Sequence, residues 1–402
     1  MMQNWLLPEY IHDMLPEEAQ RVESMRSMAI ELLRRNGYQL VAPPLLEYVE
    51  SLLIDGEDEK RLTGQPNDRD LRTFKLVDQL SGRTLALRAD ITPQVARIDA
   101  HLLNRKGVAR LCYAGSVLHT IPAGLNRTRE LLQIGAEIYG HAGIESDIEI
   151  QQLMLEALKL AGVEDVHLDL GHVGVFSALI KHAGIDAGLE RELFAALLNK
   201  DTTTLRDLTS GLDEKSRTAL RALPALYGDC LDVLGRARRL LPELPEIAVA
   251  LDDLQRVAER LNHPGMGMDL ADLRGYHYHS GMVFSAYHAG SHDAIALGGR
   301  YDGLGKSFGR SRAATGFSMD LRQIYRLLPA KEMERGILAP YGDDAALSEA
   351  IEKLRASGNA VVVSLPGSEN DPGELQCDRE LVLRDGVWQV APILNNSNLK
   401  AS

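Results

Sequence analysis

A continuous helical block interrupts this chain between two regions of strand-type sequence. From about residue 173 to residue 263, apolar residues recur at three- and four-residue spacing, as in LFAALLNK and VALDDLQRVAERL. This spacing predicts amphipathic helices, whereas the short apolar segments on either side predict strands. A chain that resumes its strands after ~90 residues of helix is best described as an α+β fold with a helical insertion.

The strand-type segments on the two sides of the insertion predict one antiparallel sheet, because their connections contain Gly, Pro or Asn. We expect strands at 72–80, 84–88, 109–118, 131–139, 166–170, 268–272, 276–287 and 293–299. Helices are expected at 16–35, 93–103 and 146–161. The predicted domains are a core at 1–328 with an insertion at about 173–263, a short C-terminal α/β unit at 331–394, and a polar tail at 395–402.

The charge balance limits the possible partners. Lys and Arg number 44 and Asp and Glu number 57, which gives a formal charge of −13 and argues against a dedicated nucleic-acid binder. Cys112, Cys230 and Cys377 are too scattered for a disulfide framework or a zinc site, so a reducing, cytoplasmic location is expected. The sequence shows neither a signal peptide nor an apolar stretch of ~18 residues, so no membrane association is expected.

Three familiar kinds of site are not favoured. The Gly-rich segment LGGRYDGLGKSFG lacks the spacing of a phosphate-binding loop and is better explained as a turn between strands. Ser116 and Ser280 lie outside any nucleophile-elbow motif. The densest histidine cluster is expected to line a ligand site and not to hold a metal; it consists of His277, His279, His288 and His292.

Charged and polar residues inside apolar strands are more informative, because a buried charge must be paired or liganded. Residues two apart on a strand share a face. Those that we expect to face one surface of the sheet are Arg88, Asp90, Thr92, Gln133, Glu137 and Arg274. Carboxylates suit an ammonium and Arg suits a carboxylate, so the set predicts a pocket for a zwitterion.

Six sequence blocks, in order, resemble the class II aminoacyl-tRNA synthetases and among them the histidyl enzyme. They are YQLVAPPLLE (motif 1), LALRADITPQVAR, RLCYAGSVLHT with NRTRELLQIGAEIYG (motif 2), RGYHYHSGMVF, LGGRYDGLGKSFG, and TGFSMDLRQI (motif 3). The resemblance covers roughly residues 1–328. It implies a class II antiparallel sheet flanked by helices, and a homodimer formed through that core near residues 43–47.

The nucleotide half of the predicted site, which would bind ATP, lacks residues that the family has in motifs 2 and 3. The motif 2 Arg and Glu are replaced by His119 and Ile121, and Asp320 and Gln323 stand where motif 3 has Gly and an adenine-stacking Arg. A neutral imidazole lacks the bidentate grip of a guanidinium on phosphate. Losing one such transition-state contact typically costs about 2.7–4 kcal/mol, so little adenylation is expected.

The amino-acid half of the predicted site, which would bind histidine, retains more of the family's residues. The resemblance implies that Asp90 holds the α-ammonium of histidine, that Glu137 accepts from the imidazole, and that Arg274 contacts the carboxylate. The histidine-binding residues that it implies are Asp90, Thr92, Gln133, Glu137, Arg274, Tyr278, His279 and Tyr301, with possible loop contacts from Arg127 and Arg129. Asp90 and His279 differ in type from the family.

Only 72 residues follow Ala330, fewer than a full anticodon-binding domain, so tRNA binding is not expected. This combination resembles the ATP phosphoribosyltransferase regulatory subunits, a non-catalytic family that pairs with a short-form catalytic subunit and senses histidine. The resemblance therefore implies a hetero-oligomer with that subunit, histidine as allosteric ligand, and neither cofactor nor metal. Two alternatives remain: a divergent histidyl-tRNA synthetase or other amino-acid-activating paralogue, and a scaffold with an empty pocket.

Overall fold

The computed structural model describes residues 6–52, 71–122, 128–276, 278–330, 335–367 and 371–393. The chain divides into two compact units, residues 1–329 and residues 330–402. The first unit contains a large sheet with its helices, and the second contains a smaller sheet.

The strands of the first unit are numbered in chain order. They are β1 Gln39–Leu40, β2 Leu46–Tyr48, β3 Lys75–Val77, β4 Thr84–Leu87, β5 Ala109–Leu118, β6 Glu130–Tyr139, β7 Val166–His172, β8 Tyr227–Asp229, β9 Met266–Asp269, β10 Met282–His288, β11 Ala296–Arg300 and β12 Ala314–Asp320. Within the described residues, nine strands form one sheet in the order β1-β5-β6-β12-β11-β10-β7-β9-β8, and β2-β4-β3 form another. The predicted antiparallel class II-like sheet is confirmed, although the β1–β5 and β7–β9 pairs are parallel.

Helices cover the sheet and build the insertion. Their bounds are α1 Pro16–Arg35, α2 Val49–Leu52, α3 Thr92–Arg97, α4 Ile144–Leu160, α5 Val173–His182, α6 Ala187–Leu198, α7 Thr202–Leu208, α8 Glu214–Ala222, α9 Cys230–Leu240, α10 Pro245–Leu261 and α11 Leu321–Leu327. A π-helical turn, Ile98–Leu103, extends α3, and 3₁₀ turns cover Leu223–Ala225 and Leu304–Phe308.

The insertion helices α6 to α9 begin at recurring aspartate caps. In each of the four helices the side chain of the preceding Asp accepts hydrogen bonds from the first turn, and these caps are Asp186, Asp201, Asp213 and Asp229. A cap of this kind stabilises a helix by about 1 kcal/mol and complements its dipole. Local sequence therefore fixes where these helices start, while their buried leucines join the main core.

The β5–β6 hairpin and β12 place polar side chains on one open face. Tyr113 lies opposite Gly135, and Glu137 lies opposite Gly316. Gln133, Gly135 and Glu137 alternate along β6 and therefore share that face, as the sequence predicts. The glycines leave space beside Glu137, because a Cβ added at Gly316 would overlap its carboxyl group.

Two predictions that place polar residues on strands are wrong: the strand expected at 276–287 begins later, and Arg88, Asp90 and Thr92 do not alternate along one strand. Strand β10 begins only at Met282, and Gly275 has a φ of +70° in the turn before it. Strand β4 ends at Leu87, and Thr92 begins α3 with Pro93 in the first turn. The spacing of these polar residues therefore reflects turns and a helix start, and not the pleat of a strand.

The second unit has a four-stranded sheet and one helix. The strands are β13 Gly336–Ala339, β14 Val361–Val363, β15 Cys377–Arg384 and β16 Val387–Pro392, in the order β14-β13-β15-β16, with helix α12 at Ala345–Ala356. A hairpin joins β15 and β16 across Asp385 and Gly386, whose φ angles are +50° and +75°. This unit is therefore a small α/β sheet.

His172 gives the first unit a pH-dependent stability. Its Nδ1 accepts from the Gly174 N–H at 3.1 Å and caps α5. Burial, with a smaller effect of Arg300, lowers the pKa of His172 from 6.5 to about 4. Between those values the unfolded chain binds the extra proton, so stability should fall by about 2–3 kcal/mol as pH drops from 6.5 to 4.

The variant His172→Asn keeps a capping acceptor and removes this titration. Urea unfolding at pH 7 and pH 5 should therefore show a smaller loss on acidification for the variant than for the original chain. An equal loss in both proteins would contradict the assignment.

Candidate functional site

The site is built around the Glu137 carboxyl, which is 1% exposed. Its Oε1 accepts from Thr92 Oγ1 and from the Tyr113 hydroxyl, each at 3.1 Å. Its Oε2 has no hydrogen-bond partner among the described residues. Burial, reinforced by the charge of Asp90, raises the pKa of Glu137 well above its usual range. A buried carboxyl oxygen without a hydrogen-bond partner strongly indicates a ligand site.

Asp90 and Gln133 form the second part of the site. Gln133 Nε2 donates to Asp90 Oδ1 at 2.8 Å, and Gln133 Oε1 accepts from the Ile91 N–H at 2.9 Å. Asp90 also accepts from the Thr92 N–H at 3.2 Å. The loop before α3 is thereby held against β6, and a carboxylate faces the cavity that both side chains line.

Aromatic side chains form a third wall. The rings of Tyr278 and Tyr301 lie 5.0 Å apart, and the ring of His279 is edge-on to Tyr278 at 5.1 Å. Tyr301 and Tyr139 are 2% and 3% exposed, and their hydroxyls have no hydrogen-bond partner among the described residues. These two hydroxyls, like Glu137 Oε2, are polar atoms that a bound ligand or water would satisfy.

Arg274 is already paired. Its guanidinium donates to the two oxygens of Asp272 at 2.7 and 2.5 Å and to Ser285 Oγ at 3.2 Å. Hydrogen bonding to Asp272 raises the pKa of Arg274 further above its usual range. A ligand carboxylate at this position would therefore have to compete with Asp272, a partner that the sequence did not suggest.

A cavity of about 370 Å³ continues from Asp90 and Gln133 toward the residues that replace the nucleotide grip. His119 Nε2 lies 2.9 Å from the Ala89 carbonyl oxygen, and Asp320 accepts from the backbone N–H groups of Leu132 and Arg322 at 3.1 Å.

The other two replacements also lack a phosphate-binding role. Gln323 donates to the Ala294 carbonyl at 3.3 Å, and Ile121 is 60% exposed and does not line the cavity. None of these arrangements offers a bidentate cation to a phosphate.

Two arginines near this cavity, Arg129 and Arg322, contact the N-terminal segment. Arg129 Nε donates to the His119 carbonyl at 3.1 Å, and its backbone N–H donates to the Tyr10 carbonyl at 2.9 Å. Arg322 is 3% exposed and donates to the His12 carbonyl at 3.0 Å. The possible loop contact Arg127 lies outside the described residues.

A buried hydrogen-bond network joins the site to the 43–47 segment. Arg88 donates to the carbonyls of Pro43 at 2.7 Å and Ser116 at 2.8 Å. Gln94, two residues after Thr92, donates to the Pro44 carbonyl at 2.7 Å and to Glu47 at 2.8 Å. Helix α3, which carries the site residue Thr92, is therefore hydrogen-bonded directly to this segment.

Sequence reasoning missed Tyr113 and Tyr139. Both lie on predicted strands, and Tyr113 is fully buried. Tyrosine in an apolar strand is common in cores, so only the register opposite Gly135 identifies Tyr113 as a site residue. The described residues contain neither a helix able to cross a membrane nor a cluster of three potential metal ligands.

Comparisons with known proteins agree with this geometry. The model of the histidyl-tRNA synthetase family matches residues 10–324, and that of the ATP phosphoribosyltransferase subunit HisZ C-terminal domain matches residues 334–391. The ATP phosphoribosyltransferase regulatory subunits of Nitrosospira multiformis and Ralstonia pickettii are each 57% identical to this chain, covering 98% of it and 99% of their own length.

Solved structures show the same fold. A protein from Bacillus halodurans described as an ATP phosphoribosyltransferase regulatory subunit/histidyl-tRNA synthetase superposes with a TM-score of 0.79 at 27% identity, covering 92% of this chain and 96% of that one. A histidyl-tRNA synthetase from Nostoc gives a TM-score of 0.74 at 18% identity, covering 94% and 91%. The chain therefore belongs to the ATP phosphoribosyltransferase regulatory subunits, a histidyl-tRNA synthetase-like family of class II fold.

Proposed function

We propose that this chain is a non-catalytic regulatory subunit that binds free histidine in the Glu137 site and transmits its presence to a catalytic ATP phosphoribosyltransferase. The observation that carries the proposal is the contrast between the two halves of the site. The amino-acid half keeps a buried carboxyl with one oxygen that has no hydrogen-bond partner among the described residues. In the nucleotide half, His119, Asp320 and Gln323 line the cavity where the family has phosphate- and adenine-binding groups.

Histidine would fit with its imidazole against Glu137 and its α-ammonium against Asp90 and Gln133. Thr92 and Tyr113 hold the Glu137 carboxyl in place, and Tyr278, His279 and Tyr301 enclose the ring. Arg274 would meet the carboxylate only after exchanging Asp272 for it, which makes carboxylate recognition weaker than a pre-formed contact.

The partners follow from the family and from the surface. The regulatory subunits named above imply a short-form catalytic partner, which would form a hetero-oligomer with this chain in the cytoplasm. Leu46, Leu76 and Val77 on the β2-β4-β3 sheet are 42%, 40% and 67% exposed, which supports a homodimer through this face. Histidine would act by favouring one assembly state, so that its binding lowers activity in the partner by linkage.

The decisive experiment adds this chain to the short catalytic subunit and measures the formation of phosphoribosyl-ATP with and without histidine. We expect activity to rise on addition of the chain and to fall when histidine is added. Unchanged activity and unchanged histidine sensitivity would refute the proposal. Histidine-dependent pyrophosphate exchange with ATP would instead support a synthetase, and calorimetry without any histidine binding would support an empty scaffold.

A further inference from the structure

The two oxygens of Glu137 have different environments. Oε1 accepts from two hydroxyl donors, whereas Oε2 faces the α-carbon of Gly316 and has no partner among the described residues. An ionised carboxylate would leave negative charge on Oε2 of a residue that is only 1% exposed, which is costly. A proton on Oε2 removes that charge and leaves the hydroxyl donors on Oε1 undisturbed.

The groups around Glu137 act in both directions, and burial together with Asp90 favours the neutral acid. Asp90 approaches from the loop before α3, Thr92 from the start of α3, Tyr113 from β5, and Tyr139 lies two residues further along β6. Strand β12 contributes only Gly316 at this point. Burial is the largest influence on the pKa of Glu137, the negative charge of Asp90 adds to it, and the hydroxyls of Tyr113 and Thr92 oppose it.

We infer that the site selects the neutral imidazole form of its ligand, holding one proton between Glu137 Oε2 and a ring nitrogen, and excludes the imidazolium form. This inference rests on the proposed function and specifies the ionic state in which histidine is recognised. The proton is the one that Glu137 carries in the empty site, so neutral histidine binds without net proton exchange. Imidazolium must release its proton to solvent before it enters.

Selection of neutral imidazole determines how the dissociation constant of histidine depends on pH. Free imidazole has a pKa of ~6.5, so between pH 7 and pH 8 the dissociation constant should be nearly constant. Below pH 6.5 it should rise by about tenfold for each pH unit, with close to one proton released per histidine bound. Isothermal titration calorimetry of the full-length chain in buffers of different ionisation enthalpy measures both quantities.

Two controls separate Glu137 from other titrating groups. The ligand 4-thiazolylalanine has a ring nitrogen that accepts a hydrogen bond and does not titrate in this range, so its affinity should vary far less between pH 5.5 and pH 7. The variant Glu137→Gln keeps a donor at the position of Oε2 and should bind histidine within about tenfold of the original chain at pH 7.5. Glu137→Ala removes that donor and should weaken binding about 10- to 100-fold.

The outcomes are distinct. Histidine binding that tightens as pH falls from 7 to 5.5 would overturn the inference and leave the proposed function intact, because it would mean that an ionised Glu137 prefers imidazolium. A Glu137→Gln variant as weak as Glu137→Ala would also overturn it, because an acceptor would then be needed at Oε2. Absence of histidine binding at every pH would overturn the proposed function and this inference together.

Discussion

Replacing Asp147 by alanine is expected to lower the free energy of unfolding by about 3–5 kcal/mol. Asp147 is 1% exposed and accepts from Arg300 Nε at 3.1 Å and from Arg300 Nη2 at 2.6 Å. Arg300 is 8% exposed, so truncating its partner leaves a nearly buried guanidinium without its main counter-charge. Its remaining contacts are weaker: Nη1 is 3.4 Å from the more exposed Asp302 carboxylate, and the others are with the carbonyls of His141 and Gly143 and with Ser146 Oγ.

Urea denaturation, followed by tyrosine fluorescence or by far-ultraviolet circular dichroism, measures this loss in the free energy of unfolding. Glu23→Ala is the matched control, because the Glu23–Arg26 pair is exposed and should contribute less than about 1 kcal/mol. The double replacement Asp147→Leu with Arg300→Met should recover part of the stability, since it removes both buried charges. A loss below 1 kcal/mol for Asp147→Ala would show that the ion pair is not needed.

Gly316→Ala is expected to reduce histidine affinity about 10- to 100-fold, as removal of the Glu137 side chain would, and to weaken inhibition by histidine in proportion. The new Cβ would overlap the Glu137 carboxyl and approach the Ala136 carbonyl oxygen at 2.7 Å. The carboxyl must then turn away from Thr92 and Tyr113, which removes the atom that we propose to contact the ring. Overpacking should also cost about 1–3 kcal/mol of stability.

Calorimetry with histidine and the assay with the catalytic subunit both test this prediction. Gly303→Ala is a suitable control, because Gly303 has a φ of −83° and no atom lies within 4 Å of its added Cβ. This control should bind histidine as the original chain does. Retained histidine affinity in a folded Gly316→Ala protein would mean that the ligand does not approach Glu137 from the side of β12.

The parts of the site on regular strands could be predicted from the sequence. Gln133 and Glu137 alternate in an otherwise apolar segment, and period-two alternation is enough to assign them to one face. The partners across the sheet could not be predicted this way. Tyr113 becomes a site residue only through its register opposite Gly135, and Gly316 only through its register opposite Glu137.

The remaining site residues lie in turns, and the spacing of apolar residues in the sequence does not predict the geometry of a turn. The backbone N–H groups of Tyr278 and His279 both donate to the Gly275 carbonyl at 2.8 Å, which folds this segment back before β10 begins. The sequence predicts Arg274 as a ligand contact, both from the set of charged residues near the strands and from the family resemblance. In the structure Arg274 pairs with Asp272, two residues earlier in the same turn. The motif alone would assign Arg274 to a ligand carboxylate and does not reveal this competing partner.

The contacts of Arg88 and Gln94 give the molecule a mechanical connection as well as a stable core. Both side chains are bound to the carbonyls of Pro43 and Pro44, and these two prolines have no N–H with which to pair elsewhere. A displacement of Thr92 by a ligand would therefore be passed through one turn of α3 to the 43–47 segment. A ligand bound as proposed at Thr92 would therefore lie two residues from Gln94, the side chain that donates to Pro44 and Glu47 in the 43–47 segment.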